Sequence, residues 1–265
     1  MSDAPLTPAE AAVLLAPNLG NGAAAVKATL LFLLVTGVLR METIEEPGVF
    51  RRRKVARLKI AAAPKNPPPE VVALLDLVRA AEAEGGKVKD VAKRAQKAFG
   101  AGCPQFSVKF ILPALVARGL LTENKILFVK TFRLTTEGRR AQARVKSDLA
   151  KAGEIARLAQ SDPRQAAALA KTLGVHALLS DKLTKQFKPL AEAMRKQHSG
   201  DSAAADGFAS SGGGFDFSHF DLGGFDLGHF DASAIDAIHT GFDSFDAGFS
   251  DGGGHSGGHD GGGHH

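Results

Sequence analysis

The chain has 265 residues, 44% of them hydrophobic, which is enough for a real core in one or two domains. Its formal charge of +5 hides two opposed parts: from Asp201 onward there are 11 Asp and no Glu, Lys or Arg, which leaves +16 on residues 1–200. A body this basic favours an anionic partner, be it nucleic acid, an anionic membrane surface or the chain's own tail, and the lone Cys103 excludes an internal disulfide.

The chain opens Met-Ser-Asp-Ala-Pro, without the basic segment and apolar run of a secretory signal, so a cytoplasmic location is expected. Thr7-Pro8-Ala9-Glu10 predicts a helix start: Thr7 caps, Pro8 fits the first turn and Glu10 closes a capping box. That helix runs to about Ala16. After a turn from Pro17 to Gly22, a second helix extends from Ala23 to Thr36, with Gly37 as its stop. The apolar run between Lys27 and Arg40 is twelve residues long, against about 20 needed to span a bilayer, and reads as a core helix.

Val38 to Glu45 and Val49 to Ile60 then read as two strands around Glu46-Pro47-Gly48. Past a Pro-rich link from Pro64 to Pro69, a helix is predicted from Glu70 to Glu84 and a basic one from Val88 to Phe99. The latter turns Val88, Val91, Ala92, Ala95 and Phe99 inward and Lys89, Lys93 and Lys97 outward. A further helix covers Phe106 to Arg118, with Pro113 as a possible kink. Leu120-Leu121 and Ile126 to Leu134 are expected to form a second hairpin across Asn124-Lys125. Thr135 or Thr136 caps a long charged helix to about Gln160, Asp162-Pro163 starts another, and Asp181 opens a last one ending near His198. In two places, Leu33 to Arg40 and Leu115 to Thr122, an apolar helix ends at Gly and passes into a strand. That repeated unit is winged-helix-like.

The tail has a period of five: Asp216, Asp221, Asp226, Asp231 and Asp236, preceded by Phe215, Phe220, Phe225, Phe230 and Ile235. Five matches neither the helical nor the strand period. Disorder with regularly spaced aromatic stickers is therefore expected over residues 199–265. The expected fold class is mainly α (α+β): a helical body over 1–198 with two short β-hairpins in winged-helix-like units, followed by that tail. A division of the body into two such halves, 1–63 and 69–198, is one expectation of this reading.

Four consecutive cations, Arg51, Arg52, Arg53 and Lys54, sit in the first hairpin and suit phosphate or lipid headgroups as well as a solvated strand end. Gly20-Asn21-Gly22 before Lys27 lacks the Gly-Lys-Ser/Thr of a phosphate loop and reads as an interhelical turn. No Ser-His, Cys-His or paired-carboxylate pattern stands out, so no enzyme and no cofactor are expected. His176 reads as a packed or capping residue. His255, His259, His264 and His265 lie among glycines that fix no geometry, so only weak, adventitious metal binding is expected there.

The order of elements resembles the Golgi phosphoprotein 3 family over about residues 6–190. Leu6-Thr7-Pro8-Ala9-Glu10 carries the resemblance, as do Leu33 to Leu39 leading into Arg51 to Lys54, and Val71-Val72-Ala73-Leu74-Leu75-Asp76. Leu115 to Lys125 and Asp162-Pro163-Arg164 complete it. The resemblance implies a mostly helical peripheral membrane protein that binds phosphatidylinositol 4-phosphate and inserts a hydrophobic hairpin. That hairpin is similar in position to Lys125-Ile126-Leu127-Phe128-Val129-Lys130. The chain has no Trp for the family's headgroup pocket; Lys27 and Lys109 are the cations nearest the family's arginines. A second resemblance is to bacterial membrane-associated proteins of unknown function that join a similar N-terminal region to a Gly-rich C-terminus. The expected function is thus peripheral binding of anionic membrane lipid. The alternatives are a nucleic-acid-binding winged-helix-like protein, or a scaffold acting through its tail.

Overall fold

The computed structural model describes residues 5–17, 21–46, 53–126, 129–187, 190, 235 and 237–242. Two helices open the body. In α1 (Pro8–Leu15), Thr7 Oγ1 accepts from the Glu10 amide at 3.2 Å, and Glu10 Oε2 accepts from the Thr7 amide at 2.8 Å. This reciprocal box satisfies two donors that a helix start otherwise leaves open. Helix α2 (Gly22–Val35) has no polar face, and Ala25, Val26, Leu30, Leu31 and Leu33 are wholly buried. A helix apolar all round is stable only when surrounded. Accordingly α1, the later helices at Pro69–Glu82 and Pro104–Phe106, the strand at Leu39–Glu46 and a 3-10 turn near residue 175 all pack on it.

Strands β1 (Leu39–Glu46) and β2 (Arg53–Ile60) pair antiparallel, from Leu39 opposite Ile60 to Glu46 opposite Arg53. Residues 47–52, with Arg51 and Arg52, lie outside the described residues. Two further bonds tie β2 to the next elements: the Leu58 amide donates to Gly86 O at 2.7 Å, and the Ile60 amide donates to Glu82 Oε1 at 2.7 Å. Helices α3 (Pro69–Glu82) and α4 (Val88–Phe99) follow. In α4 Val88, Val91, Ala92, Ala95 and Phe99 are buried while Lys89, Lys93 and Lys97 are exposed, the division expected from their spacing.

The helix expected from Phe106 starts two residues earlier and is not uniform. It comprises α5 (Pro104–Phe106), a π-helical stretch at Ser107–Ile111, and α6 (Leu112–Ala117). Pro113 has no amide to donate one turn back, so the preceding ladder changes register, and the Leu112 amide donates to Ser107 O. Edge-on ring contacts among Phe99, Phe106 and Phe110, with centroids 5.2 to 6.1 Å apart, hold this stretch against α4. Cys103 is buried, and burial pushes its thiol up to about 12, an inert state.

The second hairpin corrects the sequence reading. Strands β3 (Leu121–Ile126) and β4 (Val129–Leu134) pair with Lys125 opposite Lys130 and Ile126 opposite Val129. Asn124 and Lys125 are thus strand residues, and the link is Leu127-Phe128, which lies outside the described residues. The Asn and Lys residues looked like a turn, but the strand hydrogen bonds continue past them.

Helix α7 (Thr136–Ser161) is capped by Thr135, and its Gln142 Nε2 donates to Leu14 O and Leu15 O, closing the end of α1. Helix α8 (Pro163–Leu173), the 3-10 turn (Gly174–Leu179) and α9 (Asp181–Thr184) complete the body. His176 Nδ1 lies 2.8 Å from Asp148 Oδ2 and ties the 3-10 turn to α7. Phe187 and Leu190 are helical and buried; residues 191–198 lie outside the described residues. The architecture is mainly α with two two-stranded antiparallel sheets, as expected, and one hydrophobic cluster runs through both halves of the body. Among the described residues no single helix is long and apolar enough to cross a membrane.

Disorder was expected across the tail, yet Ile235 and residues 237–242 are helical, with Ile235, Ile238 and Phe242 in the body's hydrophobic cluster. At these positions the expectation is corrected. The five-residue period obscured a helical face made by residues 235, 238, 239 and 242. The rest of the tail lies outside the described residues.

The two Gly stops read from the sequence are equivalent in the structure: φ is 73° at Gly37 and 72° at Gly119, with open space where a side chain would stand. Each is required for its left-handed backbone, not for room. Gly22 is the opposite case, since a methyl group there would sit 1.8 Å from Cys103 O. Gly37→Ala and Gly119→Ala should each lower unfolding free energy in urea by about 1–2 kcal/mol. Gly22→Ala should lower it more, because backbone rather than a pliable side chain must move.

Candidate functional site

Lys27 and Lys109 do not come together. Lys27, on α2, is 15% exposed and its Nζ lies 3.1 Å from Asp181 Oδ1, beside Ala24, Ala28, Leu178 and Leu179. Its charge is already compensated within the fold. Lys109 is exposed on the π-helical stretch, with its Nζ 5.1 Å from the centre of the Phe110 ring, and borders a different cavity. Arg53 and Lys54 stand opposite Glu46 and Glu45 in the β1–β2 register, so the strand pairing sets acid against base there. Their neighbours Arg51 and Arg52 lie outside the described residues, as do His255, His259, His264 and His265. Among the described residues no three metal-ligating side chains gather.

The predicted membrane hairpin is assembled by a short register. The paired Lys125 and Lys130 are both exposed, one step before the last pair, Ile126 and Val129. Lys130 Nζ lies 2.7 Å from Glu123 Oε1, so Lys125 is the less compensated of the two. Leu127 and Phe128 connect the strands. By composition the end of this hairpin is four apolar residues bracketed by two lysines.

Sequence reasoning missed a cavity of about 670 Å³ where α1, α3 and α6 begin or end. Leu6, Phe32, Val71, Phe110 and Pro113 wall it, and Glu10, Glu70, Lys109 and Arg118 contribute charge. Glu10 Oε2, which closes the α1 cap, also accepts from Arg118 Nη1 at 2.6 Å, with the carboxylate side chain 7% exposed and the guanidinium 20%. Arg118 Nη1 donates to Pro5 O at 3.3 Å as well. The pair clips the first helix to the residue before the Gly119 stop. Burial, and to a smaller extent the charge of Glu10, holds the Glu70 carboxyl above the ordinary value, opposed by a hydrogen bond from its own backbone. The only sequence signal for this cavity was the capping box; nothing in spacing told that Arg118, 108 residues away in sequence, would complete it.

Removing Arg118 should be costly, because it leaves a buried carboxylate with one partner fewer. Arg118→Ala should lower unfolding free energy by about 3 kcal/mol, and Glu10→Gln/Arg118→Met should recover most of it, since Gln keeps the cap and carries no charge. Glu70 tests the opposite sign. A carboxyl raised by folding binds more protons folded than unfolded, so it costs stability as pH rises through the window between its ordinary and its raised value. Glu70→Gln should therefore stabilise the protein at neutral pH, with the gain vanishing below the ordinary carboxylate range; urea unfolding at both pH values reads it. No protein-family model, curated protein or solved structure matches this chain.

Proposed function

We propose that the protein is a peripheral, non-catalytic binder of anionic membrane surfaces, engaging the bilayer interface from the cytoplasmic side through the β3–β4 hairpin. The observation that carries this reading is the register that leaves Leu127-Phe128 as the link and sets Lys125 against Lys130. Apolar residues at the end of a hairpin enter the acyl boundary while flanking ammonium groups stay at the headgroups. The resemblance to the Golgi phosphoprotein 3 family points the same way and suggests phosphatidylinositol 4-phosphate as one lipid to test. The exposed Lys89, Lys93 and Lys97 of α4 supply further positive charge. The rival reading as a winged-helix nucleic-acid binder needs the Pro104–Ala117 helix to enter a groove. Its Phe106, Ile111, Leu112 and Leu115 are buried in the body instead.

Vesicle flotation tests the proposal. Burying a Leu or Phe side chain contributes about 1.5–3 kcal/mol, against about 1 kcal/mol per Lys near an anionic surface. Leu127→Ser/Phe128→Ser should therefore weaken binding to phosphatidylserine vesicles more than Lys125→Ala, and Lys125→Ala more than Lys130→Ala. Equal flotation of the wild type and the Leu127/Phe128 variant, or tighter binding to duplex DNA at matched salt, would sink the reading. Vesicles of equal charge with phosphatidylinositol 4-phosphate separate headgroup recognition from charge alone.

A further inference from the structure

The described residues of the segment Ile235–Phe242 pack on the body. Its two isoleucines are the only ones after Asp201, and Ile235, Ile238 and Phe242 are at most 2% exposed. They recur at the spacing of one helix face, with His239 completing it. Phe242 borders a small space of about 170 Å³ shared with Lys27, Ala28, Leu178, Leu179 and Asp181. His239 Nδ1 lies 3.4 Å from the Asp181 carboxylate that also pairs with Lys27. At the far side Gly241 approaches α4 so closely that a methyl group there would stand 2.5 Å from Val88 Cγ1. The seat thus has apolar anchors, a polar centre at Asp181 and a steric requirement for Gly one position before Phe.

We propose that the first half of α2, the 3-10 turn and the start of α4 form a peptide-recognition groove for an amphipathic helix of this pattern. Ile235–Phe242 is its resident ligand, docked reversibly in the same chain. Recognition of this kind reads apolar anchors one and two turns apart from a groove between helices. Reversibility follows from the attachment. Three buried anchors offset only in part the loss of chain freedom over the eight residues of the segment. The groove therefore fills with the help of local concentration, which attachment to the same chain supplies. Charge favours the same occupant, because Asp231, Asp243 and Asp246 bracket the segment and Asp236 lies within it, while residues 1–200 carry +16. The inference does not rest on the lipid reading, and neither test below involves a membrane.

Hydrogen exchange on the wild-type full chain is the first test. Amides of residues 237–242 should exchange about 10-fold or more faster than those of residues 30–34 in α2, because the segment opens without unfolding the body. Equal protection would make the segment a permanent part of the core and overturn the proposal. In the second test, a fluorescent peptide spanning residues 231–246 is titrated into the full chain and into full-length Ile238→Asp/Phe242→Asp, whose groove is vacated. Saturable binding should appear in the variant and be much weaker in the wild type. A peptide carrying Phe242→Ala should bind about 10-fold or more weakly, as expected for loss of one buried anchor. Gly241→Val in the peptide should weaken binding as well. Absence of binding to a variant that keeps wild-type helicity, equal binding to both proteins, or a wild-type dimer exchanging the segment between copies would each overturn it.

Discussion

A helix without a polar face is stable only when most of it is covered, and α2 is such a helix, exposed only at Ala24. Ten of its fourteen residues are buried, so the body is arranged to surround it. Helix α1 covers one side and is itself buried along most of its length, which is why a helix of only eight residues persists. Isolated helices that short are unstable in water. Its ends are therefore secured by other elements: the Thr7–Glu10 box and Arg118 at the start, Gln142 of α7 at the finish. The close approach of Gly22 to the Cys103 carbonyl brings the start of α2 against the left-handed turn that opens the Pro104–Ala117 helix. That contact joins the first half of the body to the second.

The same packing governs where charge is available. Lys27 is drawn into an ion pair because the elements that cover α2 bring Asp181 to it. Arg118 is spent on the buried Glu10. Lys125, Lys89, Lys93 and Lys97 stay exposed because they project from a hairpin end and from the outer face of an amphipathic helix. A positive surface arises at the periphery while the cations nearest the core are compensated. This distribution suits a protein that meets a flat anionic surface better than one that encloses a single anion.

Around α2 the covering is completed by residues far away in sequence. Ile235, Ile238 and Phe242 add their side chains to the cluster that the body builds from residue 9 to residue 190. Eight residues ordered by three anchors are held weakly, since burial offsets the loss of chain freedom only in part. The segment 235–242 is thus coupled to the body by a local apolar contact.

Local rules settled much of this in advance. The 3.6-residue period of α3 and α4, the capping box at Thr7, and the helix stops at Gly37 and Gly119 each depend on residues within one or two turns. The fold class follows from them. The hairpin end was misplaced because Asn124 and Lys125 favour turns locally, while the cross-strand register that carries them into β3 belongs to the pair. The cavity, the Glu10–Arg118 clip and the Lys27–Asp181 pair were illegible because their partners stand more than a hundred residues apart. Within the tail, a sequence period of five concealed a helical face that is stable only when its apolar side has a groove to enter. Sequence alone determined which elements form and where glycine must end them. Tertiary structure decided which of the described charges remain exposed and that residues 237–242 pack on the body, because both depend on what surrounds α2.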